Sequence, residues 1–254
     1  MWRSISASVA GPSHEKTGAP CQDSCLTREL SRLSESSLVA CVADGAGSGS
    51  RSDDGSRLAC EAVVELATAY YDAHQGSFEG LTEEEALAWC REARFRIEQL
   101  ADLRSESPRE YATTLCLACL SPGHAAFLQI GDGAIVARRG GVLGVVFWPH
   151  SGEYANTTVF LTGDPLDRNL RFAAVEGDFA DVALLTDGIE RLALSFEQRT
   201  PHAPFFDPLF NVLRSAADPA ALAPELARLL DSDSMKSRSD DDKTVVLAAQ
   251  AAAR

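Results

Sequence analysis

Three things are scarce in this sequence of 254 residues, and each scarcity removes a class of function. Positive charge is the first: 23 Lys and Arg stand against 37 Asp and Glu, a net charge of −14. Each added contact with a phosphate backbone or anionic lipid would work against that field, so no nucleic acid and no membrane surface is expected as a partner. Long apolar runs are the second. The longest stretch free of Asp, Glu, Lys and Arg, residues 111–131, has the length of a membrane span. Thr113, Thr114, Ser121, His124 and Gln129 interrupt it and Pro122-Gly123 marks a turn inside it, so it reads as a buried hairpin. Residues 1–11 hold no apolar run long enough for a signal-peptide core, which makes the cytoplasm the expected location. Patterned cysteine is the third: the seven, at 21, 25, 41, 60, 90, 116 and 119, are odd in number and irregular in spacing, unlike a disulfide scaffold. Cys116 and Cys119 match CxxC, yet they lie in an apolar β-like run where positions three apart face opposite ways, so they are expected as free core thiols.

Several motifs are missing as well. There is no GxxxxGK[ST] and no GxSxG, and the histidines at 14, 74, 124, 150 and 202 form no HxH or HxxxH pair, which removes phosphate-loop, serine-hydrolase and zinc readings. Gly45-Ala-Gly47-Ser-Gly49 follows a strand-like run, but Ser50 stands where a dinucleotide fingerprint has its last glycine. The acidic stretch 231–243 has Lys236 in the place where a calcium loop needs glycine.

What is present is the composition of a soluble globular protein, with 45 % apolar residues and no repeat, low-complexity block or linker, so residues 1–254 are expected to form a single domain. Residues 2–9 alternate like a strand and 37–43 form an apolar run ending at Asp44-Gly45. Apolar residues at helical spacing mark a helix over 53–74, and Thr82 to Glu85 opens a second as a capping box. Period-two runs follow at 112–120, 125–130, 134–137, 142–147, 157–161, 170–175 and 182–185. Helical stretches at 208–215 and 219–230 precede a closing strand at 244–248. Segregated runs of strands and helices predict an α+β fold in which antiparallel sheets are covered by helices.

The acidic residues share one placement. Asp44, Asp132 and Asp187 each end an apolar strand-like run and are followed by glycine; the triplet 240–242 precedes the closing strand, and Asp23 follows Gln22. Strand ends hold carboxylates rigidly, and hard divalent cations take a few such oxygens plus a carbonyl, which the Gly45 turn would offer. An Asp-Gly pair is also an ordinary turn signal. Recurrence after apolar strands favours the metal reading.

The segments QD at 22–23, DGAGSG at 44–49, GDG at 131–133, TDG at 186–188 and DDKT at 241–244, with SHEKTGAPCQD, YATTL and GEYANTTVF around them, occur in the order found in one family. From Gly11 to Leu247 the sequence resembles the type 2C metal-dependent Ser/Thr protein phosphatases, bacterial branch. The resemblance implies two antiparallel β-sheets packed as a sandwich flanked by helix pairs, with two Mg²⁺ or Mn²⁺ ions at one end. Asp44 would bridge both ions and the Gly45 carbonyl would complete one; Asp187 and Asp241 would hold the other. Asp23 would bind a metal or its water, and Asp132 a weaker third ion. Asp44, Asp187 and Asp241 would thus be the catalytic set, and a water shared by two cations would attack the phosphorus of phosphoserine or phosphothreonine directly, with no phosphoenzyme.

The sequence departs from the family at particular residues. Gly18 replaces an arginine that binds substrate phosphate, leaving His14 and Lys16 on the same segment as candidates. Ala46 replaces a histidine assigned as general acid, a task then open to His14 or a metal-bound water. Gln22 stands for a glutamate, and GDG lacks the serine and arginine that usually follow. The expected partners are a phosphoprotein substrate and a Ser/Thr kinase of the same signalling pathway. Two rivals remain: a phosphatase-like module that binds phosphoproteins without turnover, and a metallohydrolase of small phosphoesters. Residues 145–169 contain WPHSGEYANTT, read as a loop near the site, with His150 as a loop residue and no assignment for Glu153 or Asn156.

Overall fold

The computed structural model describes residues 1–148 and 158–251. Its strands are β1 Trp2–Val9, β2 Ser24–Arg32, β3 Glu35–Ala43, β4 Leu115–Ser121, β5 His124–Ile130, β6 Ala134–Arg139, β7 Val142–Val145, β8 Arg171–Glu176, β9 Phe179–Leu185, the two-residue pair β10 Leu194–Ser195 and β11 Thr200–Pro201, and β12 Lys243–Gln250. Its helices are α1 Pro12–Thr17, α2 Ser52–Ala73, α3 Glu83–Arg104, α4 Leu166–Asn169, α5 Glu190–Ala193, α6 Ala203–Ser215, α7 Ala223–Leu230 and α8 Asp233–Lys236. Two five-stranded antiparallel sheets result, one in the order β2-β3-β4-β5-β8 and the other β1-β12-β9-β6-β7.

Alternation along the strands builds three apolar layers. Val39, Cys41, Leu115, Leu117 and Leu128 face α2 and α3. Leu38, Ala40, Cys116, Phe127, Val182 and Val246 face the other sheet, and Ala183, Leu185, Val245 and Leu247 pack under Phe206, Phe210 and Leu226 of α6 and α7. The order is helices, sheet, sheet, helices, as the sequence pattern and the family resemblance both predict. Cys116 and Cys119 fall in different layers, both buried, and all seven cysteines are free thiols. Asp181, buried in β9, is clasped by Arg138 of β6 at 2.7 Å and by Arg214 of α6, which fastens that helix to its sheet. Among the described residues no helix is long and apolar enough to cross a membrane.

The predicted capping box is present: Glu85 N–H donates to Thr82 Oγ1 at 3.3 Å, and Thr82 N–H donates to Glu85 Oε2 at 2.9 Å. Replacing Thr82 by Ala removes one side of it, with an expected loss of about 1 kcal/mol, or roughly 2–4 °C in thermal melting.

Some expected elements are corrected. The strand expected at 157–161 is not one: Thr157 lies outside the described residues, and 158–161 form no strand because Thr158 bonds Asp132 and Leu161 N–H donates to Thr113 O at 2.8 Å, so the segment straps the site. The helix expected from 208 begins at Ala203 and runs through Pro208, because Phe206 and Phe210 are held in the core on either side of the proline. Strand β2 and the single-turn α1 gave no periodic signal. The first is an edge strand with charged, exposed residues, and the second buries none of its side chains. His150, Glu153, Asn156 and most of GEYANTTVF lie outside the described residues.

Candidate metal centre

The antiparallel order brings the acidic residues to one end. β3 delivers Asp44, the turn from β5 to β6 carries Asp132 from one sheet to the other, β9 delivers Asp187, and β12 runs antiparallel to β9, so its start, with Asp241, lies beside the end of β9. Asp44, Asp132 and Asp187 each place a carboxylate oxygen within 4.8 Å of the others.

The backbone around each carboxylate is anchored. Thr113 and Thr114, the threonines of YATTL, bond Asp44: Thr114 N–H and Thr113 Oγ1–H donate to its carbonyl at 2.8 and 3.0 Å, and Thr114 Oγ1 accepts its N–H at 3.0 Å. Gln129 Nε2 donates to Gly131 O and Gly133 O at 3.2 and 3.1 Å, which fixes the GDG turn, and Thr158 Oγ1 donates to Asp132 Oδ2 at 2.7 Å. Thr186 Oγ1 donates to Asp23 Oδ2 at 2.7 Å and accepts Thr244 N–H at 3.0 Å, tying Asp23 to both β9 and β12. Gly45 was expected as a sharp-turn residue, but its φ is not left-handed. A Cβ there would lie 2.6 Å from the carbonyl oxygens of Gln22 and Ser52, so glycine permits close packing of three backbone segments.

The carboxyls of Asp23, Asp44, Asp187, Asp241 and Glu190 are pushed toward their neutral form. Burial, then the charges of Asp23 and Asp187, holds Asp44 well above the usual carboxylate range. Burial raises Asp23 to about 8 and Asp187 to about 6, the latter helped by Asp132 and Asp241. Asp241, at the solvent rim, shifts the same way by desolvation. Glu190, the first residue of α5, was not singled out from sequence; burial followed by the charges of Asp187 and Asp132 raises it to about 8. Lys243 is fully buried and donates Nζ–H to the Asp241 carbonyl at 2.8 Å, so its ammonium braces the backbone of the cluster.

Asp23 Oδ1, Asp187 Oδ1 and Glu190 Oε1 are buried with no hydrogen-bond partner among the described residues. Orphaned acceptors, an all-oxygen donor set and mutual repulsion are what a hard divalent cation relieves, so these residues fit Mg²⁺ or Mn²⁺. Asp241 stands beside the three-carboxylate group, whereas Asp132, assigned from sequence to a peripheral ion, is inside it.

Of the two phosphate-binding candidates, Lys16 is exposed and makes no hydrogen bond or ion pair among the described residues. His14 is 14 % exposed, and its Nδ1 lies 2.8 Å from Asp242 Oδ1. Asp242, buried and missed as an individual residue in sequence, also accepts Gly11 N–H at 2.7 Å and Gln22 N–H at 2.6 Å.

Comparison with known proteins agrees with this geometry. The family model described as Protein phosphatase 2C matches residues 10–231. The "Serine/threonine-protein phosphatase 3" of Escherichia coli (strain K12) is 38 % identical over 252 residues, covering 97 % of this chain and 98 % of that one. Among solved structures, PppA, a key regulatory component of T6SS in Pseudomonas aeruginosa, aligns with a TM-score of 0.63 at 23 % identity over 98 % of this chain and 97 % of that one. The catalytic domain of the serine threonine protein phosphatase PstP in complex with two manganese ions aligns with a TM-score of 0.60 at 18 % identity, with the same coverage. With five acidic motifs meeting at one end of a double-sheet sandwich and a family match across most of its length, the chain belongs to the protein phosphatase 2C family of metal-dependent serine/threonine phosphatases.

Proposed function

We propose that this member of the family transfers the phosphoryl group of phosphoserine and phosphothreonine in protein substrates directly to water. The observation that carries the reading is the convergence of Asp44, Asp132 and Asp187 within 4.8 Å, with orphaned acceptors around them. When bound, two divalent cations lower the pKa of water toward neutrality and neutralise charge on the phosphoryl oxygens. Asp44 and the Gly45 carbonyl are the proposed ligands of one cation, Asp44 with Asp187 and Asp241 those of the other, Asp23 a ligand of a metal or its water, and Asp132 that of a third. Thr113, Thr114 and Gln129 hold the backbone that carries Asp44 and Asp132, and Thr186 holds the Asp23 carboxylate, which preserves in-line alignment of the attacking and leaving oxygens. A Ser/Thr kinase acting in the same pathway, a cytoplasmic location and a single domain spanning 1–254 complete the proposal.

A phosphoprotein-binding module has no physical need to hold this many carboxylates against mutual repulsion. The test is hydrolysis of a phosphothreonine peptide and of small phosphoesters with Mn²⁺, with EDTA and with Asp187→Asn. Turnover is expected with Mn²⁺ alone, falling more than about 100-fold in the variant, beyond the range for residues that merely support a metal ligand. Stoichiometric metal without turnover of any phosphoester would favour the binding module, and turnover of small phosphoesters alone would favour the small-molecule hydrolase.

A further inference from the structure

Breaking the bond between phosphorus and a seryl or threonyl oxygen leaves an alkoxide, a poor leaving group unless it receives a proton as the bond breaks. The residues around the three-carboxylate group are ill suited to that task. Asp23, Asp44, Asp132, Asp187, Asp241 and Glu190 accept hydrogen bonds once ionised beside cations, Ala46 beside the Asp44-Gly45 turn has no proton to give, and the Lys243 ammonium is sealed in the core against the Asp241 carbonyl. Among the described histidines, His74 stacks on Tyr70 at the far end of α2, His124 starts β5 at the end opposite the GDG turn, and His202 precedes α6. Of these described histidines, only His14 is connected to the site.

The connection is short and made of buried groups. His14 Nδ1 lies 2.8 Å from Asp242 Oδ1; the other oxygen of the same carboxylate accepts Gln22 N–H at 2.6 Å; Gln22 O accepts Gly45 N–H at 3.2 Å. Asp242 also follows Asp241 in sequence, and the charge of a protonated His14 is felt at the Asp241 carboxyl. A carboxylate that accepts from Nδ1 fixes the ring in the tautomer with hydrogen on that nitrogen and leaves Nε2 to exchange a proton, the arrangement by which an aspartate orients a catalytic imidazole. Two backbone amides, those of Gly11 and Gln22, keep the carboxylate in place, so the ring is held through Nδ1 by the buried structure although α1 itself buries nothing.

We propose that His14 is the general acid of this phosphatase and Asp242 its positioning residue. The imidazolium gives the Nε2 proton to the seryl or threonyl oxygen as the P–O bond breaks with its electron pair passing to that oxygen; the products are the neutral alcohol and phosphate, and the neutral imidazole regains a proton from solvent. The inference rests on the phosphatase reading above and deepens it, since it separates His14 as a proton donor from His14 as a phosphate-binding cation.

The test is a ratio. In Mn²⁺, kcat is measured for a phosphothreonine peptide and for p-nitrophenyl phosphate, whose phenolate departs without a proton. The ratio of peptide to aryl phosphate turnover is expected to fall about 100-fold in His14→Gln, within the range for loss of a general acid. Asp242→Asn is expected to lower the same ratio by a smaller factor, and added imidazole to restore peptide turnover in His14→Ala. Thermal melting of His14→Gln is the folding control, and the parent's melting temperature is expected because α1 buries no side chain. A ratio unchanged within about threefold, whether both rates fall together or neither falls, overturns the proposal, because loss of a phosphate-binding or structural residue slows both substrates alike. Parent protein inactive on both substrates would overturn the phosphatase reading itself, an outcome distinct from an active parent whose ratio ignores His14.

Discussion

Asp44→Asn is expected to abolish Mn²⁺-dependent hydrolysis and, in the same protein stripped of metal, to raise the melting temperature by roughly 3 °C, about 1 kcal/mol at this chain length. The two effects have one cause. Asp44 sits among Asp23, Asp132 and Asp187 with its carboxyl forced upward by burial and by like charge, so without cations it is a net destabilising group; neutral Asn keeps the shape and removes the charge. With cations the balance inverts: a ligand at a hundred times its dissociation constant stabilises by about 2.7 kcal/mol, several degrees at this size, and the variant gains less. Melting curves of parent and variant with EDTA and with excess Mn²⁺ should therefore cross. A variant that melts below the parent in EDTA would show that repulsion is not what the site stores.

The pH dependence has a definite sign. Asp23, Glu190 and Asp187 titrate at about 8, 8 and 6 in the folded metal-free protein, above the ordinary carboxyl values to which they return on unfolding. Through that window the folded state binds more protons than the unfolded one, so the contribution of these groups is fully present below about pH 4 and is lost as pH rises toward about 8. The gap between Asp44→Asn and the parent in EDTA should accordingly widen from pH 5 to pH 8, and Mn²⁺, which requires the deprotonated ligands, should close it. Differential scanning calorimetry at a few pH values reads this directly.

Gly188→Ala is expected to cost about 1–3 kcal/mol, or roughly 3–10 °C, and to weaken metal binding. The glycine does not serve a left-handed turn. A Cβ at 188 would lie 1.9 Å from the carbonyl oxygen of Asp242 and 3.0 Å from its carbonyl carbon, and neither is a side chain that can swing away. Relief requires separating the turn that carries Asp187 from the segment that carries Asp241 and Asp242. Gly144→Ala is the comparison: its Cβ would meet nothing within 4 Å, and its melting temperature should stay within about 1 °C of the parent. Equal effects at 188 and 144 would remove the steric account.

Gly45 and Gly188 mark how far the sequence is readable. That Asp44 and Asp187 end strands is plain from the apolar runs before them, and β1 was legible because Ile5, Ala7 and Val9 alternate with serines. Why glycine follows each Asp was not legible, since close approach of another backbone segment, that of Gln22 and Ser52 at Gly45 and that of Asp242 at Gly188, leaves no local pattern. Glu190 stood in view in TDGIE, but it opens a four-residue helix too short to show a period. Asp242 looked like one more member of an acidic triplet; its importance comes from bonds to Gly11, His14 and Gln22, over 200 residues back, and no spacing rule spans that interval. Conversely, the exposed charges of β2 hid a strand because an edge strand must discourage pairing more than it must bury a face.

The position of β12 has a consequence for folding. On its sheet β1 has one hydrogen-bonded neighbour, and that neighbour is β12, which also forms the whole link between β1 and β9. β1 therefore waits for residues 243–250 before it can pair within its sheet, and the carboxylates of Asp241 and Asp242 arrive with the same segment. Until that segment pairs, Asp23, Asp44, Asp132 and Asp187 lack Asp241 and the strand that joins β1 to β9, so completing the site depends on a contact between residues more than 200 apart, the non-local kind that forms slowly.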